Sequence, residues 1–135
     1  MKQEDKELLL QDLSARLPYG VKVKFAIPAL LVSVRNDRDG IKIITESTYS
    51  EHIYNIEDIK PYLRPMSSMT EEEKKEYQSL CVIYSDHDAD DNVTYYYFDT
   101  VESFDWLNKK MFDYRELIPK GCAIAVTEDN NPYNK

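Results

Sequence analysis

The chain has 135 residues, 42% apolar and 31% charged, the composition of one globular domain rather than of a disordered segment. Its formal net charge of −8 disfavours a nucleic-acid partner, because phosphate backbones require a basic footprint. No apolar run approaches the ~20 residues that span a bilayer, and MKQEDKELLLQDL is too acidic for an export signal, so a cytoplasmic protein without membrane association is expected.

In chain order, residues about 4–17 read as a first helix. Leu10, Leu13 and Leu17, with Leu9 alongside, form one apolar stripe that Pro18 and Gly20 terminate. Val21, Val23, Phe25 and Ile27 alternate with polar or small residues, which predicts a strand over 21–27 with one buried face. Pro28 interrupts it and a second strand covers 29–35. The polar loop Asn36–Gly40 then returns the chain into a hairpin strand over 41–48, and Ser50–Tyr54 reads as a further short strand or edge.

Asn55 is placed to cap a single turn at Ile56–Lys60, with Tyr54 and Ile59 as its hydrophobic staple. Pro61 and Pro65 make a joint that stops regular structure over a short span, since proline fixes φ and gives up its N–H. Thr70 and Glu73 then form a capping box that opens a surface helix over about 71–80, with Glu71–Glu73 at the positive end of its dipole.

Two strands, 82–85 and 93–98, flank an acidic turn. The run Tyr95–Phe98 puts aromatic rings on both faces, which predicts a strand covered on both sides. Asp99 and Glu102 read as the box of a third helix over about 100–112 with the stripe Val101, Phe104, Leu107 and Met111. Asp113 and Glu116 repeat that pattern before a short helix at 114–118. Cys122–Val126 is a last strand, and 128–135 is a polar tail expected to fray. The predicted fold is one α+β domain over 1–127. A curved, mainly antiparallel sheet carries two main helices, with short helices in the connections.

Charge is unevenly spread. Between Glu76 and Asn108 there is no Lys or Arg, while eight acids (Glu76, Asp86, Asp88, Asp90, Asp91, Asp99, Glu102 and Asp105) carry the whole excess. Asp86, Asp88 and Asp90 match the opening of a calcium loop. That template needs Gly where Asp91 stands and Glu where Tyr97 stands, so a solvated hairpin tip is the reading. Cys81 and Cys122 have no CxxC partner and read as reduced, buried thiols, with no spacing that joins them to His52 or His87 as a nucleophile pair or a zinc site. Only Gly20, Gly40 and Gly121 are glycines, so no phosphate loop exists.

No catalytic residue, metal ligand or cofactor is therefore predicted. Eleven tyrosines suit an interface, because each buries area at low entropic cost and keeps a polar tip. The candidate interaction residues are Asp86, Asp88, Asp90, Asp91, Tyr95 and Tyr97 in the acidic hairpin, with Tyr62 and Arg64 in the joint. They point to a non-enzymatic module for a protein partner, a basic one by charge. An enzyme with an unfamiliar site and a structural or self-assembling component, such as a homodimer, are the alternatives.

The strings LLLQDLSARLPYGVKV (8–23), IEDIKPYLRPMSSMTEEEKKEY (56–77) and FDWLNKKMFDYRELIPKGCAIAV (104–126) resemble a family of small acidic proteins of unassigned function. That family recurs in gut Bacteroidales genomes, often in phage or other mobile-element regions. The resemblance implies a bacterial or phage cytoplasmic protein and, by association, an accessory role that engages a host or phage protein. It brings no site residues with it, and 25–51 and 82–99 lie outside the matching strings.

Overall fold

A computed structural model describes residues 1–25, 27–37, 40–46 and 52–133, with Asp37 and His52 as backbone only. The elements run α1 (Gln3–Arg16), β1 (Lys22–Lys24), β2 (Pro28–Asp37), β3 (Gly40–Thr45), β4 (His52–Asn55), β5 (Lys60–Leu63), α2 (Glu71–Leu80), β6 (Val82–His87), β7 (Val93–Phe98), α3 (Val101–Lys109) and β8 (Ile124–Ala125). Six strands form one open sheet in the order β4-β3-β2-β1-β5-β8, antiparallel except where β5 meets β8. Strands β6 and β7 form a separate two-stranded sheet. The α+β class and the single domain are as the sequence predicts.

Helix α1 buries Leu9, Asp12, Leu13 and Arg16, spaced i, i+3, i+4 and i+7, which is one helical face. Its leucines meet Val21, Val23, Leu31, Ile43 and Leu63 of the sheet to form the main core. A second, smaller cluster holds Trp106, Leu107 and Phe112, with Met69, Tyr77 and Leu80 packed on it from α2 and its approach. Between the two lies an ionic knot whose Asp12 and Arg16 side chains are fully buried. The Arg16 Nε donates to both Asp12 oxygens at 3.0 and 2.9 Å, Arg115 donates to Asp12 at 2.8 Å, and the Arg16 guanidinium also reaches the carbonyls of Leu107 and Phe112. A buried guanidinium is tolerated only when its donors are matched in this way.

Several expectations need correction. The proline joint contains β5, which is flanked by strands on both sides, because Pro61 sits near the start of a four-residue strand where proline is tolerated. Asn55 makes no side-chain cap on the short 3₁₀ turn Ile56–Asp58. Strand β1 stops at Lys24, leaving Phe25 and Ile27 exposed, while residue 26 lies outside the described residues. So do 38–39 of the first hairpin loop and 47–51, the end of the strand predicted over 41–48 and the start of Ser50–Tyr54.

Further corrections fall in the second half. The box on α3 is formed by Thr100 and Ser103, one residue later than Asp99 and Glu102. Its buried face is Ser103, Trp106 and Leu107; Val101 and Phe104 are exposed, and Met111 lies past the helix at positive φ. Helix α3 therefore packs on α2 and the Phe112 loop instead of lying along the sheet. No helix forms at 114–118; the Asp113 carboxylate instead accepts from the amides of Leu117 and Ile118 at 2.8 Å each. Of the tail predicted over 128–135, residues 134–135 lie outside the described residues, and Tyr133 is held in place: its hydroxyl accepts from the Lys22 amide at 3.0 Å and donates to the Tyr62 carbonyl at 2.8 Å. Cys122 is buried, as predicted, and burial raises its thiol pKa; Cys81 is only half-buried.

Candidate interaction site

The capping box predicted for α2 is present: Thr70 accepts from the Glu73 amide at 3.1 Å and Glu73 accepts from the Thr70 amide at 3.0 Å. From this helix the chain leaves the domain at Cys81 and returns at Asp99. The base is closed by the Thr100 hydroxyl donating to the Leu80 carbonyl at 2.7 Å and by Tyr77 donating to Asp99. Burial and the Asp99 carboxylate both raise the Tyr77 pKa. Tyr77 also lies against Trp106, whose indole N–H donates to Glu76 at 2.9 Å. The projecting hairpin thus stands on a rigid platform.

The tip is built by its own residues. Asp88 and Asp91 close a turn through the Asp91 amide, and Asp91 takes the left-handed φ of 62° that lets Asn92 return to pair with Asp88. The Asp88 carboxylate accepts from the amides of Asn92 and Asp90 at 2.9 Å each and from the Asn92 side chain at 3.1 Å. These bonds, those of the Asn92 amide foremost, hold its carboxyl below the usual range. Asp88 is therefore a turn-forming residue. Among the described residues no three acidic, His or Cys side chains gather as metal ligands.

Every residue from Val82 to Phe98 is exposed. Register puts Val82, Tyr84 and Asp86 opposite Phe98, Tyr96 and Thr94 on one face, and Ile83, Ser85 and His87 opposite Tyr97, Tyr95 and Val93 on the other. The strand predicted to be covered on both sides is bare on both: Tyr84 is 59% exposed, Tyr95 60% and Phe98 56%. On α3, Val101, at 74%, and Phe104 are also exposed. Two-stranded ribbons are marginal in water, and monomers rarely leave so many large apolar side chains contiguous and bare.

Of the eight predicted interaction residues, Asp86, Asp88, Asp90, Asp91, Tyr95 and Tyr97 lie together on this hairpin. The other two do not join them. Tyr62 is buried in β5. Arg64 is a structural residue: it grips Glu73 with two bonds of 2.7 Å, lies 4.2 Å over the Phe112 ring, and ties α2 to the sheet. Tyr84, Tyr96 and Phe98, not among the eight, are exposed beside them. Four successive aromatics suit a strand buried on both faces as well as one bare on both, and only the separate sheet distinguishes the two.

Shallow clefts lie elsewhere among the described residues. One, of about 210 Å³, runs between α1 and β3 beside the Lys6–Glu57 ion pair at 2.9 Å. Another, of about 420 Å³, is lined by Tyr19, Arg64, Lys109, Lys110 and Asn131. Neither is lined by His or Cys. Among the described residues no helix is long and apolar enough to cross a membrane. Compared with protein families, curated proteins and solved structures, the chain matches none.

Proposed function

We propose that this protein is a non-enzymatic interaction module whose projecting β6–β7 hairpin engages a basic protein partner. The observation that carries the reading is that every residue of 82–98 is exposed, with large apolar or aromatic side chains on both faces of a separate two-stranded ribbon. Such a surface is covered in use or it aggregates. The partner's charge follows from the sequence, because 76–108 holds eight acids and no Lys or Arg. Tyrosine rings supply apolar area and cation–π faces for arginine at low entropic cost.

The string resemblance supports a cytoplasmic setting in a gut bacterium, with the protein acting as a phage or mobile-element accessory and binding a host or phage protein. The test is affinity capture from such a host with three baits: the intact chain, the Asp86/Asp88/Asp90/Asp91→Asn variant, and a chain with 82–98 replaced by two glycines. The intact chain should hold a basic partner that the Asn variant holds weakly and the excised chain loses. A partner captured equally by all three baits would overturn the proposal.

A further inference from the structure

We propose that the partner binds by strand addition: an extended segment bearing Arg or Lys at alternate positions pairs with the free backbone edge of β6. This deepens the reading above and rests on it. Antiparallel pairs alternate between bonded and non-bonded. Because the Asp88 amide bonds the Asn92 carbonyl, the bonded pairs run 88/92, 86/94, 84/96 and 82/98. Ile83, Ser85 and His87 on β6 therefore turn their N–H and C=O groups outward, as do Val93, Tyr95 and Tyr97 on β7. The sheet ends at these two strands, so among the described residues both edges are open.

Natural edges are normally blunted by Lys, Pro, a bulge or a covering element. Strand β6, VIYSDH, has no Lys or Pro, and its ladder with β7 runs without a register shift. Charge selects β6 over β7. An added strand beside β6 lies next to Asp86 and Tyr84, whereas beside β7 it meets Thr94, Tyr96 and Phe98 on that face; the tip acids Asp88, Asp90 and Asp91 lie beyond the end of both, so Asp86 makes the difference. Arginine or lysine on the added strand has a carboxylate and an aromatic face there. A second copy of β6 brings no Lys or Arg to Asp86, and in parallel register it sets Asp86 and the acidic tip against like charges, so the occupant is a basic segment.

The test uses an alternating Arg/Val peptide, the same peptide N-methylated at alternate amides to remove its donors on one edge, and the intact chain. The unmodified peptide should slow hydrogen exchange at Ile83, Ser85 and His87, and N-methylation should weaken it about tenfold or more. Ser85→Pro removes an outward N–H without touching a β6–β7 bond and should weaken binding similarly, whereas Tyr95→Pro on the other edge should not. Trp106 fluorescence checks that both variants fold. Equal affinity for the N-methylated peptide, or protection at Val93, Tyr95 and Tyr97 instead, overturns strand addition but leaves the basic-partner reading standing. Failure to bind either peptide overturns both.

Discussion

Tyr84 and Tyr96 face each other across β6 and β7 with ring centroids 6.5 Å apart, and both residues are exposed. A cross-strand aromatic pair usually stabilises a sheet by packing against a third element. Here none is supplied among the described residues. The hairpin's side chains lie outside both core clusters.

The first expectation follows directly. Replacing 82–98 with two glycines, which leaves Thr100 and Leu80 in place, should change unfolding free energy by no more than about 1 kcal/mol. Urea denaturation followed by Trp106 fluorescence measures it. A large loss would mean that the hairpin supports the core.

The ionic knot should behave in the opposite way. Arg16 and Asp12 are both fully buried, and Arg16 also serves two backbone carbonyls. Arg16→Met removes those donors and half of Asp12's compensation, which should cost about 3–5 kcal/mol. The same urea titration reads it, and a cost below about 1 kcal/mol would contradict the structural role.

Acid should loosen the Arg64–Glu73 clasp in a defined window. The Arg64 bonds hold the Glu73 carboxyl at about 2 against an ordinary 4.5. The folded state favours the ionised form, so the stabilisation is complete above about 4.5 and is lost as pH falls towards 2. Glu73→Gln keeps the capping box but not the charge. The stability gap between wild type and this variant should therefore be full at neutral pH and close across that window. A gap independent of pH would refute the assignment.

Tyr133 fastens the end of the chain. Tyr133→Phe strands the Lys22 amide and the Tyr62 carbonyl, with an expected cost of about 1–3 kcal/mol and faster exchange at Lys22. Burial pushes the phenol up to about 12 from its ordinary 10. The neutral form is the one the fold favours, so this contribution is full below about 10 and lost as pH rises to about 12. The phenylalanine variant should lack that alkaline step.

Local signals were the legible part of this chain. The Thr70–Glu73 box, the α1 stop at Pro18 and Gly20, and the first antiparallel strands were all readable, because caps and alternation act over a few residues. What sequence reasoning missed depends on where elements lie relative to one another. Nothing local marks Pro61 as part of an internal strand, Arg16 as wholly buried, or Tyr133 as an anchor. At the site, the acidic tip was visible as composition. The bareness of Tyr84, Tyr96 and Phe98 was not, since the same aromatic run serves a covered strand.

The central claim is that the hairpin docks a basic protein. Its most direct test is calorimetric titration of the Arg/Val peptide into the intact chain and into the chain lacking 82–98, at low and high salt. The intact chain should bind with a Kd on the order of micromolar that weakens as salt rises, and the excised chain should give no heat. Equal binding by both chains, or none by either, would contradict the account.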